Sequence, residues 1–246
     1  MQKLLLIGIG TGNPDHLTRQ GAEAIRHADL ILIPRKGAGK SDLAGLRENI
    51  IGAVTETPPR LAYFDIPQRR DDDGYLRGVD DWHNEIAARW QAAMATCSEA
   101  KVVALLVWGD PSLYDSSLRI AARLDPQPHT EVIPGITALQ ALTAAHAIPV
   151  NEIGAPFVVT TGRQLRDNGW PQGVETAVIM LDGECSFSTL NGAEFDIWWG
   201  AYVGMVEEIL ISGPLDQVAD QIRTTRAEAR ADHGWIMDIY LLRRRN

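Results

Sequence analysis

The sequence predicts an α/β protein of two domains, the N-terminal one with a mostly parallel, doubly wound sheet and the C-terminal one with a mixed sheet and helices. In the first half, apolar runs such as Lys101–Val107 alternate with helical periodicity, as in parallel sheets that are covered on both faces. In the second half, apolar runs recur with fewer helical segments between them, which indicates a mixed or antiparallel sheet. We expect the boundary at Pro134-Gly135, which gives domains 1–134 and 135–246.

The first half is predicted to alternate strands and helices. The predicted elements are, in order, strand Lys3–Ile9, a helix from about Leu17, strand Leu30–Pro34, a short helix near Ser41–Ile50, a helix through Trp82–Met94, strand Val102–Val107, helix Ser116–Leu124 and strand Thr130–Ile133. The rest of Arg35–Gly78 is rich in proline and acidic residues and is predicted to be exposed loop or lid. Large apolar residues recur every four positions from Trp82 to Met94, so we interpret that helix face as core or dimer interface.

The second half is predicted to contain one helix, Thr137–Ala147, ahead of the mixed sheet. Its predicted strands are Phe157–Thr160, Ala177–Leu181, Trp198–Val203, Glu208–Ile211 and Trp235–Leu242. The segments between these strands show little helical periodicity, in contrast with those of the first half.

Composition and charge limit the classes of function. The net charge of −9 argues against broad, non-specific binding to nucleic acid. Cys97 and Cys185 lie far apart and outside metal or redox spacings, so we interpret both as reduced core thiols. The six histidines show no pair at metal-ligand spacing, and we expect no metal. The first apolar run is too short for a signal peptide and none approaches about 20 residues, so we expect a cytoplasmic protein without a membrane span.

Two glycine-containing segments resemble nucleotide-binding motifs but depart from them. The turn Gly8–Asn13 looks like a dinucleotide fingerprint, yet Asn13 stands where the third glycine belongs. An NADP site that uses Arg35 is left open. Gly39-Lys40-Ser41 resembles the end of a phosphate-binding loop, but the upstream glycine of that motif falls on Pro34, which has no amide proton to donate. A nucleotide-binding module is therefore the less favoured alternative.

The most informative stretch is Trp108–Ser117, a turn that directly follows the predicted strand Val102–Val107. Gly109 permits close approach of the backbone to a ligand. Asp110 and Asp115 place carboxylates at the carboxyl end of the strand, which is where open α/β sheets bind their ligands. An ordinary loop with a capping aspartate would contain the same residue types, so this turn alone does not decide the function.

Three turns of this kind follow predicted strands, in the order GIGTGNPDHLT (8–18), WGDPSLYDSS (108–117) and EVIPGITALQA (131–141). Together they resemble the tetrapyrrole methylase family, whose members transfer methyl groups from S-adenosyl-L-methionine to porphyrinoid carbons. The stretches IPRKGAGKSDL, DDWHNEIAARW, LVWGDPSLYDSS and VVTTGRQL are similar to members that methylate C-1 of precorrin-5 with loss of acetate in cobalamin biosynthesis. The resemblance implies a homodimer that takes a tetrapyrrole substrate and binds the cofactor in a cleft between two domains.

The resemblance also implies which residues contact the cofactor. Carried over position by position, they are Thr11, Trp108, Gly109, Asp110, Leu113, Thr137, Ala138, Met180 and Gly204. The family usually reads GPGD in the first turn, whereas this chain has Thr11 at the proline position and Asn13 at the aspartate position. We expect Asp15 to supply the missing carboxylate nearby. Plain packing of a strand against a helix is the alternative for this turn.

The implied chemistry has two parts. Methyl transfer from a sulfonium requires the reacting carbons to be held about 3–3.5 Å apart and in line. Loss of acetate also requires a general base and a donor to the developing oxyanion. The candidate catalytic residues are Asp15, Tyr114 and Asp115, with Asp110 also near the predicted site. The candidate partners of substrate carboxylates are Arg35, Lys36 and Arg163, each near a predicted strand end.

A different substrate is the main alternative within the same family. Relatives of the family methylate ribosomal RNA or a modified histidine of a translation factor. The acidic charge balance argues against RNA, and the long segment Arg35–Gly78 suits a bulky small molecule better.

Overall fold

The computed structural model describes residues 3–35, 42–68 and 75–245. The chain divides into two compact units, Met1–Thr137 and Ala138–Asn246. Both units are built on a five-stranded sheet. Among the described residues, no helix is both long and apolar enough to span a lipid bilayer.

The first unit is a parallel sheet with helices between its strands. Its described elements are β1 Lys3–Gly8, α1 Arg19–His27, β2 Leu30–Arg35, α2 Asp42–Val54, β3 Arg60–Asp65, α3 Tyr75–Ala95, β4 Val102–Val107, α4 Ser117–Ala121 and β5 His129–Ile133, with a short 3₁₀ helix at Pro14–His16. The strand order is β3-β2-β4-β1-β5, and every neighbouring pair is parallel. The predicted parallel sheet is confirmed.

Helices cover both faces of this sheet. On β1, Leu4 and Leu6 pack into the apolar cluster that contains α3 and α4, whereas Leu5 and Ile7 pack into the cluster that contains α1 and α2. Successive side chains of a strand point to opposite faces, so the two clusters lie on opposite sides of the sheet. The doubly wound arrangement is therefore confirmed, and it explains why the strands read as continuous apolar runs.

The helix face between Trp82 and Met94 belongs to the core. Ile86, Trp90 and Met94 are buried in the cluster beneath α3, and Trp82 packs half-buried at its edge. This confirms the core interpretation of that face, while the dimer alternative stays a prediction. The two cysteines are buried and unpaired, as expected of core thiols.

The prediction of loop or lid for most of Arg35–Gly78 is wrong in two places. Helix α2 runs on to Val54, and β3 forms an edge strand beside β2. Only Ala62 and Phe64 of β3 are buried, because an edge strand contacts the core with alternate residues. Two inward residues between prolines give too weak an alternation to be recognised in the sequence.

The second unit contains a mixed sheet. Its described elements are α5 Ala138–Ala145, β6 Phe157–Thr161, α6 Gly162–Asn168, β7 Thr176–Met180, β8 Phe195–Ala201, β9 Ile209–Pro214, α7 Leu215–His233 and β10 Asp238–Arg244. The order is β6-β7-β10-β8-β9, in which β6 and β7 are parallel and the other pairs are antiparallel. The predicted mixed sheet is confirmed.

Two helices of the second unit were not predicted. The longer one, α7, has 19 residues, of which only Leu215, Ile222, Arg226 and Ala229 are buried. A buried arginine interrupts its apolar stripe, so the helical periodicity is weak. The shorter one, α6, starts directly after β6, with the Thr161 hydroxyl accepting the amide of Gln164 at its start.

Candidate active site

The three glycine-containing turns meet at the carboxyl edge of the first sheet. They follow β4, β1 and β5, which are neighbours in that order, so the turns lie side by side. Gly10 and Gly109 form an isolated antiparallel bridge, in which the Gly109 amide donates to the Gly10 carbonyl at 2.8 Å. Segments that are about a hundred residues apart in the chain are thereby joined through their backbones.

Three glycines pack so closely that no side chain fits between them. A Cβ on Gly8 would lie 2.6 Å from the Gly135 nitrogen and 2.8 Å from the Gly109 oxygen. A Cβ on Gly135 would lie 2.7 Å from the Gly8 carbonyl carbon and would also clash with the Gly109 oxygen. We call Gly8, Gly109 and Gly135 the glycine junction. Any larger residue at Gly8 or Gly135 would have to displace backbone.

The Asp110 carboxylate ties two of these turns together. One oxygen accepts the Ser112 amide at 2.8 Å and the Ser112 hydroxyl, and the other accepts the Gly135 amide at 2.9 Å. Burial raises the pKa of Asp110, but the hydrogen bonds from Ser112 and Gly135 outweigh it and hold the pKa below its usual value. Asp110 is therefore an ionised group that shapes the site, and its bonded oxygens make it a poor general base.

The side of the junction toward Thr137 is less tightly packed. Gly109 has φ +66°, in the left-handed region that favours glycine. A Cβ there would meet the Thr137 Cα only at 3.8 Å, an ordinary contact distance. The junction is thus tightly packed at Gly8 and Gly135 and more open where Gly109 faces Thr137. Thr137 and Ala138, both half-buried, lead from this turn into α5.

The first turn uses most of its polar side chains locally. Thr11 is only 2% exposed, and its Oγ1 is hydrogen-bonded to His16 Nδ1 at 2.9 Å. Asn13 Oδ1 accepts the Asp15 amide at 2.9 Å and so caps the 3₁₀ helix. The Thr11 hydroxyl is thus bonded within the turn, and the predicted contact of Thr11 with a cofactor stays a prediction. Asp15 is exposed one residue along that helix, and its expected role stays a prediction.

The turn after β4 presents Tyr114 to solvent and uses Asp115 as a helix cap. Tyr114 has φ +50°, which is strained for a bulky residue, and is 44% exposed. Burial raises the pKa of the Tyr114 hydroxyl further above neutral pH, and the protonated hydroxyl can donate a hydrogen bond. Asp115 Oδ1 accepts the Ser117 amide at 2.6 Å at the start of α4. Leu113 donates its amide to the Asp110 carbonyl at 3.3 Å, and Trp108 packs half-buried against the core.

Met180 and Gly204, two further predicted cofactor contacts, lie at separate places in the second unit. Met180 ends β7 and packs half-buried against the apolar cluster around Leu142 and Val178. Gly204 has φ +83°, and its amide donates to Glu208 Oε2 at 2.6 Å. That amide is already bonded, so the part of Gly204 offered to a ligand would be its carbonyl or its bare Cα.

Two of the predicted substrate-binding cations, Arg35 and Arg163, lie in different units, and their role stays a prediction. Arg35, at the end of β2, has its guanidinium carbon 3.6 Å from the ring centroid of Tyr63. Arg163 is exposed in the first turn of α6, in the other unit. Lys36 and the segment Gly39-Lys40-Ser41 lie outside the described residues. In the described ranges, no group of three or more His, Cys, Asp or Glu side chains is arranged to hold a metal ion.

Sequence reasoning missed Arg47 on α2. Its Nε donates to the Leu106 carbonyl at 3.0 Å, near the carboxyl end of β4. Burial lowers the pKa of Arg47 to about 10, and the Asp115 carboxylate opposes that shift. The signal was present in the sequence. Arg47 continues the helical spacing set by Ala44 and Val54, so a lone arginine stands on an otherwise apolar stripe.

His83 on α3 is a second buried basic group that the predictions left out. It is 3% exposed, and its Nε2 has no hydrogen-bond partner within the described part of the chain. Burial lowers the pKa of His83, and the charges of Arg123 and Arg119 lower it further, whereas Asp115 raises it. The charge of Asp115 thus acts on both His83 and Arg47.

Comparison with known proteins agrees with the three turns. Residues 3–219 match the family described as Tetrapyrrole (Corrin/Porphyrin) Methylases. A precorrin-6A synthase (deacetylating) from Sinorhizobium sp is 47% identical over 251 residues, which cover 99% of this chain and 96% of that protein.

Solved structures give the same result for the fold. A cobalamin-synthesis-related protein from Corynebacterium diphtheriae superposes with a TM-score of 0.80 at 36% identity, over 99% of this chain and 98% of that one. A uroporphyrin-III C-methyl transferase from Thermus thermophilus, complexed with S-adenyl homocysteine, shares the fold with a TM-score of 0.61 at 18% identity, over 98% of this chain and 96% of that one. The family resemblance is confirmed: this chain belongs to the tetrapyrrole (corrin/porphyrin) methylases.

Proposed function

We propose that the protein is an S-adenosylmethionine-dependent C-methyltransferase that methylates C-1 of precorrin-5 with hydrolytic loss of acetate, giving precorrin-6A. The observation that carries this proposal is the 47% identity, over 99% of the chain, to a precorrin-6A synthase (deacetylating). A likeness of this extent includes all three turns and both sheets. We also propose that the protein is cytoplasmic and forms a homodimer. Light scattering on the purified protein measures its mass in solution and so tests the dimer.

The glycine junction fits a cofactor of this kind. S-adenosylmethionine has an adenosine group, a carboxylate and an ammonium, and such groups are commonly bound by loop backbone at the carboxyl edge of a parallel sheet. The junction is tightly packed at Gly8 and Gly135. It is less tightly packed where Gly109 faces Thr137, so a ligand could approach the Gly109 backbone there. We propose Trp108, Gly109, Leu113 and Thr137 as direct contacts, and Asp110 as the group that holds their turns. Ala138, Met180 and Gly204 are proposed on the resemblance.

The protein's task in methyl transfer is to hold two carbons in line. When bound, S-adenosylmethionine supplies a methyl group that is already activated by its sulfonium. Alignment alone can contribute several kcal/mol to such a step, so no nucleophilic side chain is required. A rigid backbone junction suits this task, because small displacements of the donor would misalign the reacting centres.

Loss of acetate requires proton transfer, for which Tyr114, Asp115 and Asp15 are the proposed groups. Water adds to the acetyl carbonyl while a carboxylate, Asp115 or Asp15, accepts its proton. The Tyr114 hydroxyl, which is protonated at neutral pH, donates to the oxyanion that develops. The C–C bond to C-1 then breaks, acetate leaves with the oxygen of the water, and the electron pair stays on C-1. That pair forms the new bond to the methyl group.

Incubation with precorrin-5 and methyl-labelled S-adenosylmethionine tests the reaction. We expect one acetate released for each methyl group transferred, measured by mass spectrometry of the tetrapyrrole and enzymatic assay of acetate. Methylation of precorrin-5 without release of acetate would contradict the deacetylating reaction and would assign the chain to a neighbouring methylation step. ATP and NADPH serve as competing ligands in calorimetry, and tight binding of either without binding of S-adenosylhomocysteine would contradict the proposal.

Tyr114→Phe tests the proposed donor. This variant keeps the ring and its backbone conformation but loses the hydroxyl, so acetate release should slow about 100-fold. The dissociation constant for S-adenosylhomocysteine should stay within twofold. Tyr63→Phe, which removes another partly exposed hydroxyl, is the matched control and should react like the wild type. Equal rates for the two variants would remove Tyr114 from the mechanism.

A further inference from the structure

His16 lies in the first turn, directly beside the bridge between Gly10 and Gly109. The turn follows β1, whose neighbours in the sheet are β4 and β5. A Cβ on Gly10 would lie 2.5 Å from the His16 Cβ, so the histidine packs on the bare backbone of that glycine. Gly10 is in turn bonded to Gly109. The His16 side chain is therefore anchored at the carboxyl edge where the three turns meet.

A buried hydroxyl orients the imidazole ring of His16. Thr11 is 2% exposed, and its Oγ1 lies 2.9 Å from His16 Nδ1. In a neutral imidazole one nitrogen is a donor and the other an acceptor. When Nδ1–H donates to the Thr11 oxygen, the lone pair that can accept a proton is on Nε2. Nε2 forms no hydrogen bond with any described residue, and the ring is only half-buried.

The first turn does not need this side-chain bond to close. The His16 amide donates to the Asn13 carbonyl at 2.9 Å, and the Asn13 side chain caps the 3₁₀ helix. The Leu17 amide donates to the Pro14 carbonyl at 3.1 Å. The bond to Thr11 thus orients a ring on a backbone that is already fixed. A proline at position 11, as in the family's usual pattern, would offer no hydroxyl for this purpose.

The proposed loss of acetate needs a proton acceptor of this kind. Free carboxyl groups have a pKa of about 4 and accept protons weakly at neutral pH, whereas free imidazole groups titrate at about 6.5. One oxygen of Asp115 is already bonded to the Ser117 amide, and Asp15 is exposed. An imidazole with one nitrogen oriented by a partner and the other accessible is a typical arrangement for a general base.

We propose that His16 accepts the proton of the attacking water in the loss of acetate. This inference rests on the proposed function, which supplies the acetyl group, and it assigns the acceptor to His16 rather than to either carboxylate. Nε2 takes one proton while the water oxygen bonds to the acetyl carbon, and the Tyr114 hydroxyl donates to the oxyanion. The C–C bond to C-1 then breaks, and its electron pair stays on C-1 and bonds the methyl group. Acetic acid leaves and ionises, and Nε2 releases its proton to solvent.

His16→Asn tests the proton acceptor. The asparagine amide stands at the place of Nδ1, so the bond to Thr11 can persist while Nε2 is lost. His27→Asn is the matched control, because His27 Nδ1 is also bonded to an oxygen, the Glu23 carbonyl, at 2.7 Å. We expect His16→Asn to release acetate from precorrin-5 at least 100-fold more slowly, with binding of S-adenosylhomocysteine within threefold. His27→Asn should match wild type in both.

Substitutions of Thr11 test the orientation of the ring. Thr11→Val keeps the shape of the side chain and removes its hydroxyl, so kcat for acetate release should fall about tenfold. Thr11→Ser restores a hydroxyl in a smaller side chain and should stay within about twofold of wild type. Equal losses in the two variants would mean that packing at Thr11, and not the hydroxyl, supports the reaction.

Added bases test whether the loss is chemical or structural. Imidazole added to His16→Ala should raise acetate release at least tenfold. Pyrazole, which has the same shape but is a much weaker base, should not. Equal restoration by both would mean that the ring only fills space, and no restoration by imidazole would also count against His16.

The inference and the proposed function can fail separately. If the wild-type protein releases no acetate, the proposed function fails. If wild type and His16→Asn release acetate at the same rate, only the inference fails, and Asp115→Asn and Asp15→Asn then identify the acceptor. Nitrogen-15 NMR of the neutral ring gives a test without substrate. We expect the His16 proton on Nδ1, and a proton on Nε2 instead would overturn the inference.

Discussion

Asp110 in the first unit and Asp182 in the second occupy similar positions but serve different surroundings. Each follows a strand, β4 or β7, and each accepts hydrogen bonds from a serine amide and hydroxyl a few residues on. The other carboxylate oxygen of Asp110 accepts a hydrogen bond from the Gly135 amide in a neighbouring turn. Asp182 instead accepts the Tyr240 hydroxyl at 2.6 Å, inside the unit.

The hydrogen bonds around Asp182 extend to a buried ion pair between Arg226 and Asp238. Arg226 and Asp238 are bonded at 2.8 Å with side chains 10% and 8% exposed, and Arg226 also donates to the Asp182 carbonyl. Trp199 Nε1 donates to the same Asp238 carboxylate. The comparison teaches that one turn motif can either tie two turns together at a sheet edge or take part in a buried network. The partner of the remaining carboxylate hydrogen bond, the Gly135 amide or the Tyr240 hydroxyl, makes the difference.

Arg226→Met is expected to have the largest effect on stability. It leaves the Asp238 carboxylate buried without its cation, which should cost about 3–5 kcal/mol in the free energy of unfolding. Urea denaturation followed by circular dichroism measures this. Arg223→Met, three residues earlier on the exposed side of α7, should stay within about 0.5 kcal/mol of wild type. Equal stability of the two variants would show that the network is not the structural centre of the second unit.

Gly135→Ala comes next, and its effect should reach the cofactor. The added Cβ would lie 2.7 Å from the Gly8 carbonyl carbon, so the junction has to open. We expect a loss of about 2 kcal/mol in the free energy of unfolding, with S-adenosylhomocysteine binding weakened at least tenfold in calorimetry. Gly52→Ala, in α2 with open space around it, should instead stabilise by up to about 1 kcal/mol. If the Gly135→Ala protein bound S-adenosylhomocysteine as tightly as wild type, the assignment of the cofactor to the glycine junction would be contradicted.

Asp110→Asn should destabilise moderately and in a pH-dependent way. The folded-state pKa of Asp110 lies below its usual value because the Ser112 and Gly135 hydrogen bonds outweigh burial. Its contribution is therefore fully present above the unfolded pKa of about 3.9 and is lost as pH falls through the folded value. The variant should be less stable by about 2 kcal/mol at pH 7, with the gap narrowing toward pH 3. A gap that does not change with pH would mean that the ionised carboxylate is not what holds the turns.

The smallest expected change in stability comes from replacing either of two strained residues with glycine. Tyr114 has φ +50° and Leu181 has φ +54°, and both are exposed after a strand. Substituting glycine at either site should raise stability by about 0.5 kcal/mol, because strain relief slightly exceeds the entropy cost of glycine. Only the change at Tyr114 should also slow acetate release. If acetate release were slowed in both variants, the assignment of this step to Tyr114 would be contradicted.

The sequence predicted secondary structure correctly where a single hydrophobic pattern extends over a whole helix or strand. Continuous apolar runs located the central strands, and the three turns located the carboxyl edge where they meet. It was uninformative where a polar side chain interrupts an apolar stripe, as Arg226 does in the unpredicted helix α7. It also could not show that the hydroxyl of Thr11 is bonded to His16, because that contact depends on how the turn folds back.

Hydrogen–deuterium exchange of the wild-type protein tests most directly whether the glycine junction is the cofactor site. With saturating S-adenosylhomocysteine, amides in residues 107–115 and 134–137 should exchange at least tenfold more slowly, while α7 should be unchanged. ATP at the same concentration should have no effect. Saturable binding of S-adenosylhomocysteine that leaves both of these turns unprotected would contradict the assignment of the cofactor to this junction.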